Sequence, residues 1–262
     1  MTNGNQRAAR ASKRGPLFLI LFGALMAGAG NGISLVAFPW LVLQRNGSAL
    51  NASIVAMAGT LPLLAATLIA GAAVDYLGRR RVSMISDALS ALSVAAVPVL
   101  ALAFGVHVIN VAVLAGLAAL GAFFDPAGMT ARETMLPEAA TRAGWTLDHA
   151  NSVYEAIFNL AYIVGPGIGG LLIATLGGVN TMWVTAAAFG LSIVAIGLLR
   201  LEGAGAPDRA ALPGGVWAGI VEGLKFVWHN KVLRTLAIVD LTATGLYMPM
   251  ESVLFPKYFT DR

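Results

Sequence analysis

Cysteine is absent from the chain, which excludes a disulfide framework and any thiolate metal site. Charge is scarce as well: Asp, Glu, Lys and Arg make up 11% of the residues, against about a quarter in an ordinary soluble domain. That scarcity excludes a water-soluble fold. The histidines are His107, His149 and His229, each in a separate polar connection, so no metal-ligand spacing exists among them. No cofactor or metal is expected. A membrane-embedded enzyme would need a convergent set of His, Asp or Glu at one membrane face, and none is visible.

What is present is apolar. Hydrophobic residues make up 58% of the 262 positions, and the mean hydropathy is +0.77. A helical membrane bundle uses about 20 apolar residues per crossing, which leaves room for about six or seven crossings. The net charge of +4 does not point to nucleic acid, because the basic residues recur between apolar runs instead of gathering on a polar domain. The expected surroundings are a lipid bilayer.

Six apolar runs lie at about 16–43, 53–74, 82–106, 108–124, 153–176 and 181–199, each near the length of a hydrocarbon-spanning helix. The first follows Arg7, Arg10, Lys13 and Arg14 but continues without a convincing cleavage site, so it is read as a retained helix and not a signal peptide. A seventh run at about 232–255 is interrupted by Asp240 and Glu251 and would be bent by Pro249. The connections are asymmetric in Lys and Arg. The N-terminal tail, the link with Arg79, Arg80 and Arg81, the link with Arg132 and Arg142, and the segment from Arg200 to Arg234 are basic, whereas the alternate links offer Arg45 alone. Orientation follows that bias, so the N-terminus and the even-numbered loops are expected in the cytoplasm, and the protein in the cell membrane.

Four parts are expected: a cytoplasmic basic tail over 1–15, a six-helix transmembrane bundle over 16–200, a cytoplasmic linker with an amphipathic helix over 201–231, and a seventh transmembrane helix with a truncated end over 232–262. In the linker, Trp217, Ile220, Val221, Leu224 and Trp228 recur at helical spacing, with Glu222 and Lys225 off that stripe. Such a helix lies in the membrane interface or packs on neighbouring loops. The chain stops at Arg262 directly after the seventh run, and the reading frame is expected to continue.

The most informative segment runs from Gly71 through Asp75 and Gly78 to Arg79, Arg80 and Arg81. Gly71 permits a close helix approach, Gly78 a tight reversal, and Asp75 can pair with an arginine or cap a helix N-terminus. A basic positive-inside hairpin explains the arginines but not Gly, Asp and Gly at these offsets. The segment resembles the loop between helices two and three of the major facilitator superfamily, G-x-x-x-D-x-x-G-R-[KR]-[KR], and matches it at every fixed position. The resemblance implies an all-α polytopic fold with an N-terminal six-helix bundle of two three-helix repeats, plus part of a second half. It further implies that Gly71, Asp75, Gly78 and Arg79 to Arg81 form a cytoplasmic latch between two halves.

Gly165, Pro166, Gly169 and Gly170 resemble the G-P-x-x-G-G end of the superfamily's antiporter motif, although Ser152 and Ala161 stand where two further glycines belong. The same pattern is ordinary small-residue helix packing. The segment from Ala122 to Ala127, with Asp125 and Pro126, followed by Leu136, Pro137 and Asn151, resembles the link between helices four and five in drug-efflux and siderophore-export branches. The arginine of the superfamily's fourth helix is replaced by Leu117, so a proton relay through that arginine is excluded.

Ionisable residues within apolar runs are candidates for function. Asp87 and Glu155 are candidates for a coupling proton, or for charge pairs with the latch arginines or Arg132. Asn31, Tyr154, Phe158, Asn159 and Tyr162 are candidates for a cavity wall, while Asn31 also suits a helix-to-helix hydrogen bond. The expected function is proton-coupled efflux of a small amphipathic compound by alternating access, and not enzymatic. A single bundle offers one wall, so a C-terminal half or self-pairing is expected to complete it. An importer of the same fold and a noncatalytic subunit are the alternatives.

Overall fold

A computed structural model describes residues 2–201 and 215–249. Within the first compact unit, Met1–Ala211, the helices are α1 (Thr2–Asn46), α2 (Ala49–Ala58), α3 (Leu61–Leu77), α4 (Arg79–Phe104), α5 (Val111–Glu133), α6 (Leu136–Ala143), α7 (Leu147–Leu176) and α8 (Gly178–Gly197). Among the described residues five helical spans are long and apolar enough to cross a membrane.

The boundaries correct three expectations. The run expected over 53–74 is two helices, α2 and α3, broken at Gly59 and Thr60, with Pro at the start of α3. Neither piece alone has the about 20 residues that a crossing needs, though together they do. The break follows from Pro62, which cannot donate back to the preceding turn. The fourth run does not stop at 124: α5 continues through Asp125 and Pro126 to Glu133, so these residues are helical and not a link. The fifth begins at Leu147, with the Thr146 side chain accepting from His149 N–H as its cap.

The packing carries a two-fold internal logic. Counting α2 with α3 as one crossing, α1 packs against α7 and α8, while α5 packs against α3 and α4. The first helix of each three-helix repeat thus lies on the second and third helices of the other, as in an inverted repeat. The reversals agree: Gly78 joins α3 to α4 at φ 90° and ψ 143°, and Gly177 joins α7 to α8 at φ 82° and ψ 154°. Each is a single residue at an equivalent point of its repeat, in a conformation that only glycine adopts without strain.

α1 and α7 meet backbone to backbone. A Cβ on Gly165 would lie 2.8 Å from the Cα of Gly32, and one on Gly32 would lie 2.9 Å from the Cα of Gly165. Gly169 faces the Ile33 backbone at 3.3 Å. Gly170 meets nothing within 4 Å, so the G-P-x-x-G-G segment divides into packed and open glycines. Gly71 also meets nothing within 4 Å, which corrects the expected close approach there. At the end where α1 starts and α8 stops, Leu17, Ile20, Leu136, Ala139, Tyr154 and Ile196 form a buried apolar cluster, with α6 laying its apolar face on α1.

The second compact unit, Leu212–Arg262, holds α9 (Gly215–His229) and α10 (Lys231–Pro249). Asn230 caps α10 by accepting from Val232 and Leu233 N–H. Val221, Leu224 and Trp228 of the amphipathic stripe are exposed, and the Arg234 guanidinium lies 5.9 Å from the Trp228 ring centroid. The side chains of Trp217, Ile220 and Asp240, together with Glu251 and the stretch 202–214, fall outside the described residues. Among the described residues α10 is not one of the spans apolar enough to cross.

Candidate functional site

α4 carries Ser83, Ser86, Ser90 and Ser93 together with Asp87, all buried. Spacings of three and four residues put them on one helix face. That face meets α5, where small residues make room: a Cβ on Gly121 would lie 2.8 Å from Ser93 Oγ, and one on Gly128 would lie 2.5 Å from Ser86 Oγ. Ser86 donates to the Phe124 carbonyl at 2.7 Å, a carbonyl in the turn before Pro126. The seven-residue repeat of serine on α4 against glycine on α5 was the signal available in the sequence for this seam.

At the basic end of the seam sits a buried ion pair. Arg132 Nη1 donates to both Asp87 carboxylate oxygens at 2.9 and 3.0 Å, and both side chains are 2% exposed. Ser192 of α8 donates to Asp87 Oδ2 at 2.6 Å, and Ser83 accepts from Arg132 at 3.3 Å. Arg132 was expected in a polar link; the extension of α5 carries it inside instead. Of the two readings open for Asp87, the charge pair is the one the geometry contains. The buried Tyr154 hydroxyl lies beside the Arg132 guanidinium and interacts with its charge.

Deeper in the bundle, a cavity of about 280 Å³ opens between α1, the α2–α3 break, α4, α5 and α7. Asn31, Phe158 and Tyr162 line it, joined by Ser34, Phe38, Thr60, Ser90, Asp125 and Phe189. Phe158 and Tyr162 stack with centroids 6.3 Å apart. The other two cavity candidates lie elsewhere. Tyr154 is 1% exposed within the apolar cluster at the basic end, and Asn159 is exposed, donating to Glu155 at 3.4 Å. Glu155 is likewise exposed on α7 and forms no salt bridge among the described residues. Leu117, at the position of the missing arginine, packs on the apolar core. Among the described residues no cluster of His, Asp and Glu could hold a metal ion.

The latch segment is split by its surroundings. Asp75, Arg79 and Arg81 are exposed, and Asp75 forms no ion pair among the described residues. Arg80 alone is engaged: its Nε donates to the Ile196 carbonyl at 3.2 Å and its Nη2 to the Gly197 carbonyl. It caps the C-terminal carbonyls of α8, where a cation is also favoured by the helix dipole. Arg80→Ala is expected to lower bundle stability by about 1–2 kcal/mol, read as a fall in melting temperature in detergent, whereas Arg79→Ala and Arg81→Ala leave it unchanged.

Comparison with known proteins extends these observations. The chain is 85% identical over 251 residues to the multidrug efflux pump Tap of Mycolicibacterium fortuitum, covering 96% of this chain and 61% of that protein. It is 68% identical over 252 residues to the multidrug efflux pump Tap of Mycobacterium tuberculosis, covering 96% of this chain and 60% of that protein. The chain thus spans about three-fifths of the length of these relatives. With the description Major Facilitator Superfamily matching residues 20–262, across the helical bundle described above, the chain belongs to that superfamily.

Proposed function

We propose that this chain supplies the N-terminal bundle of a proton-coupled exporter of small amphipathic compounds that works by alternating access. The observation that carries it is the cavity: aromatic rings, an amide, hydroxyls and one carboxylate converge inside an otherwise apolar bundle, which suits a mixed-polarity small molecule. The efflux function named for the relatives supports the direction of transport. A further bundle, or a second copy, faces this cavity and completes the site, since the superfamily's site lies between two halves. The gathering of Arg79 to Arg81, Arg142 and Arg200 at one end, with Arg45 at the other, supports a cytoplasmic N-terminus in the cell membrane. The chain acts on its cargo by movement and not as an enzyme.

The test is ethidium accumulation in an efflux-deficient bacterium expressing the full reading frame that contains this chain. Accumulation is expected to fall, and a protonophore to restore it. Export that persists with the proton gradient collapsed and depends on sodium would overturn the coupling, and increased uptake would overturn the direction. In the same assay Asp75→Asn is expected to reduce export by about tenfold through a shifted inward–outward equilibrium, with unchanged abundance in the membrane. Unaltered export would remove Asp75 from the latch.

A further inference from the structure

Two carboxylates inside the bundle, the buried Asp87 and the partly exposed Asp125, stand on opposite terms with their surroundings. Asp87 is saturated: Arg132 takes both its oxygens and Ser192 adds a third bond. Asp125 instead lines the cavity, and its Oδ1 accepts from Ser90 at 2.9 Å. No salt bridge neutralises Asp125 among the described residues, and it is the single carboxylate among those lining the cavity.

Facing Asp125, α4 contributes Asp87 and α5 contributes Arg132, which cancel as an ion pair. α1 contributes the Asn31 amide, α7 the Tyr162 phenol, and α8 the uncharged Phe189. The site therefore carries one net negative charge when Asp125 is ionised and none when it is protonated. One proton or one monovalent cation neutralises it, and an unneutralised charge is strongly disfavoured in an apolar bundle. The rings of Phe38, Phe158 and Tyr162 around it favour an organic cation over an inorganic one, because ring faces attract cations and cover apolar substituents. Leu117 leaves no arginine on that stretch of α5 to claim the carboxylate permanently.

Building on the export reading above, we propose that Asp125 is the carboxylate at which a proton and the cationic group of an organic cargo exclude one another, with Ser90 holding it toward the cavity. On the cytoplasmic side the protonated carboxyl gives its proton to water as the cation enters. On the outer side a proton from hydronium returns as the cation leaves. Exchange is one for one and electroneutral for a monovalent cargo.

The test is proton release on binding tetraphenylphosphonium, measured with the purified full-length protein in weakly buffered detergent solution across the mildly acidic to neutral range. One proton released per cation bound is expected, with release fading as pH rises and the free carboxyl ionises. Asp125→Asn is expected to release none and to bind the cation at least about thirtyfold more weakly; Asp125→Glu restores release. Ser90→Ala, a positioning change, is expected to shift the pH of half-maximal release without removing it. Unchanged release by Asp125→Asn overturns the inference. Should Asp125→Asn fail to accumulate, Ser90→Ala decides, and an unaltered pH profile overturns it. A full-length protein that exports ethidium in cells but binds no tetraphenylphosphonium overturns this inference alone, whereas loss of both overturns the export reading with it.

Discussion

Gly165→Val is expected to prevent assembly of the bundle. Its Cα sits where α1 and α7 touch backbone to backbone, and the added Cβ would lie 2.8 Å from the Cα and 3.0 Å from the carbonyl carbon of Gly32. No side-chain rotamer relieves a backbone clash, so the helices must separate, and every contact along the seam loosens with them. Overpacking in a tight interior costs about 1–3 kcal/mol, and here the loss of the α1–α7 seam adds to it. In a membrane, close packing of small residues is itself the main attraction between helices. Gly170→Val supplies the comparison, because a Cβ there meets nothing within 4 Å. Membrane abundance and melting temperature in detergent are expected to collapse for Gly165→Val and to stay near wild type for Gly170→Val. Equal behaviour of the two would show that the glycine segment does not act through this seam.

Breaking the ion pair on one side is the second large effect. Arg132→Leu leaves Asp87 charged in the bundle with Ser192 as its remaining partner, and Asp87→Leu strands the guanidinium in the same way. Either is expected to destabilise by about 3–5 kcal/mol. Replacing both, Asp87→Leu with Arg132→Met, removes the uncompensated charge and is expected to recover most of the loss, since buried pairs contribute little net stability over apolar packing. Thermal denaturation of the four proteins in one detergent closes the cycle. A double variant as unstable as the worse single one would mean that Ser83 and Ser192, and not the charge pair, dominate the cluster. Arg132 shares α5 with the cavity carboxylate Asp125, and Asp87 shares α4 with Ser90, which bonds Asp125, so loss of stability and loss of coupling must be scored separately.

Much of the bundle could be read from the chain because apolar length and loop charge are coarse signals that survive any detail of packing. The reversal between α3 and α4 was legible for a different reason: Gly78 performs a one-residue turn that other residues cannot. What escaped was local. The α2–α3 break was hidden because the residues around Gly59, Thr60 and Pro62 are flanked on both sides by uniformly apolar sequence, which gives no periodicity to interrupt. Asp125 and Pro126 were expected in a link by resemblance, yet both lie within α5, where the aspartate finds Ser90 and the neighbouring Phe124 carbonyl accepts from Ser86. Arg132 was counted as a topological charge, but its place is decided by Asp87, forty-five positions away in the chain. Tyr154 and Asn159 share a helix with Phe158 and Tyr162, and only the crossing of α7 over α1 decides which of them turn toward the cavity.

The single-residue reversal at Gly78 has a mechanical consequence. With no slack between α3 and α4, a pull applied to the arginines that open α4 cannot be absorbed by a flexing loop. α4 runs unbroken from those arginines past Asp87 to Ser90 in the cavity wall, so Arg79 to Arg81 and the cavity share one helix, and a residue inserted after Gly78 would put slack at its start.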